Sequence, residues 1–217
     1  GVDIIIGAPN DDDIANNRKD TGSVTVYNIA TTTPVIPKQY GAVAKAYFGK
    51  SVAAGNVDGV TGDEVLVGAP GDDNALMKDA GSVTVFFTDA TPSITKYGTT
   101  TKAGLGNSVA VGDVNNDGNA DIIAGAKLDD KPTAPKVTKD VGSVSVWSGN
   151  GYTPIGSTLY GSVSKDYFGT SVGAGDINSD GKADLIIGIP GFDLPATPTT
   201  KIIKDVGQVK AFSGAGL

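Results

Sequence analysis

Cysteine and histidine are both absent from the 217 residues of this chain. Without cysteine there is no disulfide framework, so cysteine usage says nothing about the redox compartment. Without histidine the chain lacks the commonest general base and the commonest ligand for transition metals. These absences exclude a disulfide scaffold and histidine-based catalysis.

Positive charge and long apolar runs are also scarce. The net charge is −7 and the calculated isoelectric point is about 4.5. Because an acidic chain is repelled by phosphate backbones, we expect no nucleic-acid partner. No apolar run is long enough to cross a bilayer, so we expect no direct membrane span in this segment. No Asn-x-Ser/Thr glycosylation sequon is present either.

Glycine, in contrast, is abundant, with 31 residues, whereas methionine and tryptophan occur once each. Together with many β-branched residues, this composition favours short strands joined by tight turns over helices. We therefore predict an all-β chain.

Three sequence markers repeat four times, or nearly so, in the same order. The first marker is a Gly-Ala-Pro corner, the second is Gly-Ser-Val followed by an aromatic residue, and the third is Tyr-Gly followed eight residues later by Phe-Gly or Leu-Gly. The corner glycines are Gly7, Gly68, Gly125 and Gly188, spaced by 61, 57 and 63 residues. The aromatic residues are Tyr27, Phe86, Trp147 and Phe212, and the third marker begins at Tyr40, Tyr97 and Tyr160. A period near 60 residues indicates repeated supersecondary units.

Each unit is predicted to contain four strands. The first resembles Ser171-Val-Gly-Ala; the second resembles Asp121-Ile-Ile-Ala-Gly and is apolar enough to be buried on both faces. The third, Gly-Ser-Val-Thr-Val-Phe, alternates and is expected to be half-exposed. The fourth is weaker, around Tyr152 to Leu159 in the third unit. Four-stranded antiparallel sheets repeated along a chain are typical of β-propeller blades.

The chain resembles the FG-GAP repeats of integrin α-subunit propellers and their bacterial and archaeal relatives. The residues that carry the resemblance are Phe48-Gly49, Phe168-Gly169, the Gly-Ala-Pro corners and Asp-rich loops at Asp113 and Asp176. The resemblance implies a ring of seven blades, whereas about fourteen strands, or three and a half blades, are expected here. The predicted units are a partial blade at 1–39, blades at 40–96 and 97–159, and a partial blade at 160–217. Because Gly1 falls inside a repeat, we expect a segment of a longer chain.

Two loops carry a complete set of oxygen ligands for calcium. The predicted ligands are Asp113, Asn115, Asp117, the carbonyl of Asn119 and Asp121 in the third unit, and Asp176, Asn178, Asp180, the carbonyl of Lys182 and Asp184 in the fourth. Alternate side chains on a curled loop can supply the six to eight oxygens that calcium prefers. The loops begin like an EF-hand, but the twelfth position is Ala124 or Ile187 instead of Glu, and the closing carboxylate is at the ninth position. The alternative is an Asx-rich hairpin without metal.

The second unit carries a degenerate version of the loop. Its predicted ligands are Asn56, Asp58, the carbonyl of Val60 and Glu64, and Thr61 stands where the other loops have glycine. We predict weaker calcium binding there, if any. The first unit retains only Asp3. In every loop the metal's predicted role is structural, because no open catalytic position is evident.

Two other recurring features have alternative interpretations. Acidic residues recur three positions past each corner, at Asp12, Asp73, Asp130 and Asp193. They indicate either an acidic ring that binds a cation or basic partner, or turn capping combined with Lys-Asp surface pairs.

The repeated aromatic position indicates either a sugar-binding platform or, as we favour, packing between blades. The insertions at 131–138 and 194–203, rich in Thr, Pro and Lys, are expected to be exposed loops.

Three functional hypotheses follow from the resemblance and the residues. The first is a calcium-stabilised, non-catalytic propeller at the cell surface or outside the cell, which binds a protein or glycan ligand in adhesion. The second is a structural subunit of a surface filament or sheath, whose partners are further copies of the chain. The third is the propeller part of an enzyme that acts on polysaccharides or lipids. The lack of cysteine and sequons fits a bacterial or archaeal surface protein.

Overall fold

A computed structural model describes residues 3–89, 91–133, 136–198 and 201–216. Within these ranges the chain forms fourteen strands, two single-turn 3-10 helices at Ile14–Asn16 and Gly214–Gly216, and no α-helix. The strands are β1 (Asp3–Ala8), β2 (Ser23–Asn28), β3 (Pro34–Tyr40), β4 (Ser51–Gly55), β5 (Glu64–Ala69), β6 (Ser82–Phe86), β7 (Ile94–Tyr97), β8 (Leu105–Gly112), β9 (Asp121–Ala126), β10 (Ser143–Trp147), β11 (Leu159–Tyr160), β12 (Ser171–Gly175), β13 (Asp184–Ile189) and β14 (Gln208–Phe212). The all-β prediction is confirmed.

The strands form four antiparallel sheets, each of consecutive strands. Sheet 1 contains β1 to β3, sheet 2 contains β4 to β7, sheet 3 contains β8 to β11, and sheet 4 contains β12 to β14. Each sheet corresponds to one repeat, as expected for propeller blades. Tyr40, Tyr97 and Tyr160, the first residues of three predicted units, are instead the last residues of β3, β7 and β11. The fourth strand of sheet 3 is shorter than the predicted span, although Trp147 and Pro154 form an additional isolated bridge.

Apolar side chains between successive sheets form three clusters. Because side chains alternate across a strand, β5 directs Val65 and Val67 towards sheet 1 and Leu66 towards sheet 3. In the same way β9 directs Ile122 towards sheet 2 and Ile123 towards sheet 4. Sheets 2 and 3 are therefore each packed on both faces, which buries every residue of β5 and β9.

The two outer sheets differ from the sequence-based prediction of a doubly buried second strand. In β1, Ile4 and Ile6 are 45% and 49% exposed, and in β13 Ile186 is 37% exposed. The physical reason is that, among the described residues, only one face of sheets 1 and 4 is covered by another sheet. The prediction for the third strand was also wrong for β2, β6 and β10. β6 and β10 are mostly buried because sheets 2 and 3 are covered on both faces. In β2, Val24 and Val26 pack against sheet 2 and the Ser23 hydroxyl donates to the Asp11 carboxylate, so this strand is also mostly buried.

The three sequence markers meet at the joint between successive sheets. The corner glycine of one sheet packs against the Phe-Gly or Leu-Gly backbone of the next: a Cβ on Gly68 would lie 2.0 Å from the carbonyl oxygen of Gly106. The glycine of Gly-Ser-Val forms a parallel bridge to the same segment, as Gly81 does with Leu105. The Ser51 hydroxyl closes the joint with a 2.8 Å hydrogen bond to the Gly106 carbonyl. Only glycine permits this approach of two backbones.

No helix among the described residues has the length and apolar character needed to cross a bilayer.

Candidate metal sites

The predicted metal loops connect the first and second strands of sheets 2, 3 and 4. In each sheet the closing carboxylate is the first residue of the second strand and pairs with the glycine that ends the first strand. These pairs are Glu64 with Gly55, Asp121 with Gly112, and Asp184 with Gly175. The three loops therefore lie at the same end of successive sheets.

The loops of sheets 3 and 4 share one hydrogen-bond pattern. The Asp113 carboxylate accepts from the backbone N–H groups of Asp117 at 3.1 Å and Gly118 at 2.9 Å. Asp176 accepts at the same distances from Asp180 and Gly181. The chain thus curls around its first carboxylate in both loops.

The remaining side-chain oxygens also point into the curl. The side-chain amide oxygen of Asn115 accepts from the backbone N–H of Asp117 at 2.9 Å, and the Asp117 carboxylate accepts from the backbone N–H of Asn119 at 2.9 Å. Gly118 and Gly181 adopt φ of 90° and 87°, and a Cβ on either would meet nothing within 4 Å. Glycine is needed there for its backbone conformation and not for space.

The closing carboxylates are buried and anchored by backbone N–H groups. Asp121 has no exposed surface and accepts from Val114 at 2.8 Å and from Gly149 at 3.0 Å. Burial raises the pKa of the Asp121 carboxyl, and the nearby carboxylates of Asp117 and Asp113 raise it further. Burial likewise raises the pKa of the Glu64 carboxyl in the second loop. A bound dication would relieve this mutual repulsion.

Two of these anchors come from a segment that sequence reasoning did not identify. The N–H groups of Gly149 and Gly214, which follow the third strands, donate to Asp121 and Asp184 at 3.0 and 3.3 Å. A signal was present: the dipeptide Ser-Gly follows the repeated aromatic residue only in the two units with complete loops.

Neighbouring loops are joined directly through their backbones. The Ala120 N–H donates to the Asn56 carbonyl, and the Ala183 N–H donates to the Asp113 carbonyl, both at 2.7 Å. A loop that is ordered by metal would therefore also restrain the loop of the adjacent sheet.

The second loop is arranged differently. The Asn56 side-chain amide donates to the Val60 carbonyl at 2.7 Å, so two predicted ligands bond to each other. The Asp58 carboxylate accepts from the Val60 N–H at 2.8 Å. The complete loops contain such a bond too, since the Asn115 side-chain amide donates to the Asp117 carboxylate at 3.0 Å. The second loop differs in its donor set, because its predicted ligands include two carboxylates, Asp58 and Glu64, instead of three, and its weaker binding stays a prediction.

The donor set fits a hard cation. Each complete loop combines three carboxylates with an amide and a backbone carbonyl oxygen, which are ligands that calcium prefers. Across the described ranges no group of three or more Asp, Glu, His or Cys side chains is arranged to hold a metal. The amide and carbonyl oxygens would thus have to complete the coordination in each loop. The ligand assignments remain predictions.

The recurring acidic residues past each corner cap turns. The carboxylates of Asp12, Asp73, Asp130 and Asp193 each accept from the N–H of Asp20, Asp79, Asp140 and Asp205, respectively, at 2.7–2.8 Å. This arrangement supports the turn-capping interpretation. The predicted Lys-Asp surface pairs do not form, since the ion pairs among the described residues are Arg18–Asp13 and Lys38–Asp11.

A second acidic position, one residue earlier, was missed by sequence reasoning. Asp72 and Asp129 are 7% and 4% exposed, and each accepts from the hydroxyl of the Gly-Ser-Val serine at 2.7 Å. In the fourth unit Phe192 and Gln208 replace this pair. Phe192 packs against the apolar cluster, and the Gln208 side-chain oxygen is buried without a hydrogen-bond partner in the described structure.

Replacing Asp72 by Ala is expected to cost about 1–3 kcal/mol, because the buried Ser82 hydroxyl loses its acceptor. The double variant Asp72→Ala with Ser82→Ala should cost less than the sum of the two single changes, as urea unfolding would measure.

Burial raises the Asp72 pKa above its ordinary value of 3.8. Between the ordinary pKa and this raised pKa, the folded state holds a proton on Asp72 that the unfolded state has released. The wild type should therefore lose stability relative to Asp72→Asn as the pH rises from 3.8 through the raised pKa. A pH-independent difference would contradict this account.

The repeated aromatic residue packs between sheets. Phe86, Trp147 and Phe212 each contact the apolar cluster between their own sheet and the preceding one. Phe86 and Phe212 also meet Phe48 and Phe168 edge-to-face, with ring centroids 6.0 Å apart. Tyr27 is 37% exposed, since no preceding sheet is described. The packing interpretation therefore accounts for three of the four positions.

Four antiparallel sheets, joined by glycine contacts at one end and Asx-rich loops at the other, define a β-propeller repeat protein. The family model described as FG-GAP repeat matches residues 105–147 and 168–209. The chain is thus an FG-GAP repeat protein, and its repeats are integrin α-like.

Curated relatives give the same picture. The chain is 33% identical over 167 residues to integrin alpha-V of Gallus gallus, covering 71% of this chain and 15% of the relative. It is 32% identical to integrin alpha-8 of Mus musculus, covering 73% and 15%. A phosphatidylinositol-glycan-specific phospholipase D of Dictyostelium discoideum is 26% identical over 181 residues, covering 70% and 19%. The chain spans less than a fifth of the length of each of these relatives, and the predicted bacterial or archaeal origin stays a prediction.

Proposed function

We propose that this chain is part of a calcium-stabilised, extracellular or cell-surface β-propeller that binds a protein or glycan ligand in adhesion and is not itself catalytic. The observation that carries the proposal is the similarity to integrin α chains across about 70% of the sequence, through sheets whose joints use the FG and GAP residues themselves. We further propose that the blades belong to a seven-bladed ring.

Calcium would act in this propeller as a structural ion. Asp113, Asp117 and Asp121 would hold it in the third loop, and the equivalent residues Asp176, Asp180 and Asp184 in the fourth. The ion would tie each loop to the buried start of the second strand, because the closing carboxylate is anchored there by backbone N–H groups. Backbone bonds between loops would carry this order from sheet to sheet.

The proposal is tested by binding to immobilised extracellular-matrix proteins and glycans, with calcium and with a chelator. We expect saturable binding to at least one of them that the chelator abolishes and that Asp117→Ala combined with Asp180→Ala reduces at least tenfold. A control that removes the same two charges from exposed residues at the corner end of the sheets, Asp12→Asn with Asp205→Asn, should leave binding within about twofold. Binding that is unaffected by chelator and by the loop variants would contradict the proposal.

An enzymatic role is the alternative that the phospholipase D similarity favours. The chain would then be the propeller part of an enzyme that acts on a lipid or polysaccharide. Release of product from glycosylphosphatidylinositol or from an acidic polysaccharide by the purified chain would favour this alternative over a binding module.

Self-association is the other alternative, as in a subunit of a surface filament or sheath. It draws on the exposed apolar residues of the outer sheets, including Ile4, Ile6 and Val209, the last of which is 68% exposed. Concentration-dependent assembly in analytical ultracentrifugation, lost in Ile6→Lys and Val209→Lys, would favour it.

A further inference from the structure

A cavity of about 490 Å³ lies where sheets 1, 2 and 3 meet, at the end of the sheets that carries the corners. Its wall includes Pro9 from the first corner, Pro70 from the second and Lys127 from the third. The calcium loops lie at the other end of the second strands. Six residues of β5 separate the two ends, or about 20 Å at the usual rise per residue. The cavity is therefore separate from the candidate metal sites.

The cavity wall is positively charged in an otherwise acidic chain. Lys50, Lys102 and Lys127 line it together with a single carboxylate, that of Asp79. These three lysines and one aspartate together carry two net positive charges. None of these lysines forms an ion pair within 4.0 Å in the described part of the chain, where Arg18 and Lys38 form the two ion pairs. The lysine charges are thus available to a ligand.

Lys127 is a departure from the repeat. The other three corners place proline at this position, as Pro9, Pro70 and Pro190. Proline fits there because the position needs no backbone donor, and the backbone hydrogen bonds at the third corner come from the next residues, Leu128 and Asp129. Structure alone therefore does not require lysine. The substitution places a half-buried lysine in the cavity wall.

The backbone that carries the other lysines is held in place. The Lys102 N–H donates to the Lys78 carbonyl at 2.9 Å, and the Gly104 N–H donates to the Asp79 carbonyl at 3.2 Å. The Lys50 N–H donates to the Tyr47 carbonyl at 3.0 Å. These bonds cross between sheets or close turns, so the cavity is formed before any ligand arrives, and little ordering entropy opposes binding.

We propose that this cavity binds a small ligand that carries two negative charges. Its volume lies in the range of small-molecule sites, and the half-buried ring of Tyr47 supplies apolar surface beside the ammonium groups. The ammonium group of lysine is a compact charge, unlike the planar guanidinium group of arginine. Separate ammonium groups can each bind one carboxylate of a dicarboxylate or one oxygen of a phosphate monoester. The double negative charge matches the two net positive charges of the wall. The site does not depend on calcium.

Isothermal titration calorimetry with succinate and with glycerol 3-phosphate tests this proposal, using the intact protein in 0.5 mM calcium. We expect saturable binding of at least one dianion, and no binding of the neutral succinamide. Because the interaction is electrostatic, raising the salt concentration should weaken it. The probe that binds more tightly identifies the source of the charge, carboxylate or phosphate.

Three variants assign the binding to the cavity. Lys127→Pro restores the corner of the other repeats and removes one charge, so it should keep the melting temperature and weaken binding about tenfold. Lys127→Arg should retain most of the affinity. Lys139→Met removes one exposed lysine outside the cavity and should bind as wild type does. No binding of either dianion by wild type, equal binding of succinamide, or equal losses in Lys127→Pro and Lys139→Met would each overturn the proposal.

Discussion

Calcium is expected to raise the melting temperature of this protein by about 10–20 °C. Each of the two complete loops should add about 2.7 kcal/mol when calcium is present at about 100 times its dissociation constant. For a chain of this size, each kcal/mol corresponds to about 2–4 °C. The gain arises because the unfolded chain does not bring together the Asp113, Asp117 and Asp121 oxygens that hold the ion. Differential scanning calorimetry with calcium and with chelator measures the effect.

The double variant Asp117→Asn with Asp180→Asn isolates the contribution of the loops. Asparagine keeps an oxygen that can accept the backbone N–H groups of Asn119 and Lys182 but removes one negative charge from each loop. The calcium-induced shift should fall by more than half. The control Asp12→Asn with Asp205→Asn removes the same charge at the corner end of the sheets and should retain the full shift. Equal melting temperatures of wild type in calcium and in chelator would refute the metal assignment while leaving the fold untouched.

Gly125→Ala should destabilise the protein by about 3 kcal/mol or more, through the joint between sheets 3 and 4. A Cβ at this position would lie 2.1 Å from the Gly169 carbonyl oxygen, and backbone on both sides leaves little room to yield. The sheets would have to move apart and uncover part of the apolar cluster between them. Urea unfolding in saturating calcium measures the change in the free energy of unfolding.

Gly173→Ala is the matched control. Gly173 also lies in a strand, but a Cβ there would meet its nearest neighbour, the Ile186 side chain, at 4.0 Å. We expect a change of less than about 1 kcal/mol, of either sign. If both variants lost the same stability, the close backbone approach would not be what maintains the joint, and glycine would matter there only through chain entropy.

Much of the architecture could be predicted because local residue patterns encode the repeat. Short alternating or apolar runs bounded by glycine indicate strands, and their recurrence near 60 residues indicates one sheet per repeat. The Asp113 and Asp176 loops could be identified for the same reason, since their predicted ligands lie within nine consecutive residues. The prediction was weakest at burial. β1 and β5 have similar sequences, yet Ile4 is 45% exposed and the equivalent Val65 is only 3% exposed, because burial depends on whether a neighbouring sheet covers the strand.

The backbone N–H groups that anchor the closing carboxylates could not be predicted either, because they too depend on contacts between distant residues. Gly149 lies 28 residues from Asp121 in the sequence, and its N–H reaches the carboxylate only because the third strand runs back beside the second. The buried Asp72–Ser82 pair was likewise missed, since sequence alone does not distinguish a carboxylate that caps a turn from one that enters the interior.

The sequence by itself determined that this protein is all-β, that it is built from four related units, and that two loops carry oxygen ligands in calcium-loop order, because each of these features is encoded by neighbouring residues. Only the tertiary structure decided that the FG and GAP markers form joints between sheets, that inner strands are buried on both faces and outer ones are not, and that three lysines from separate segments share one cavity. Those properties depend on contacts between residues tens of positions apart, which the packing of successive sheets creates.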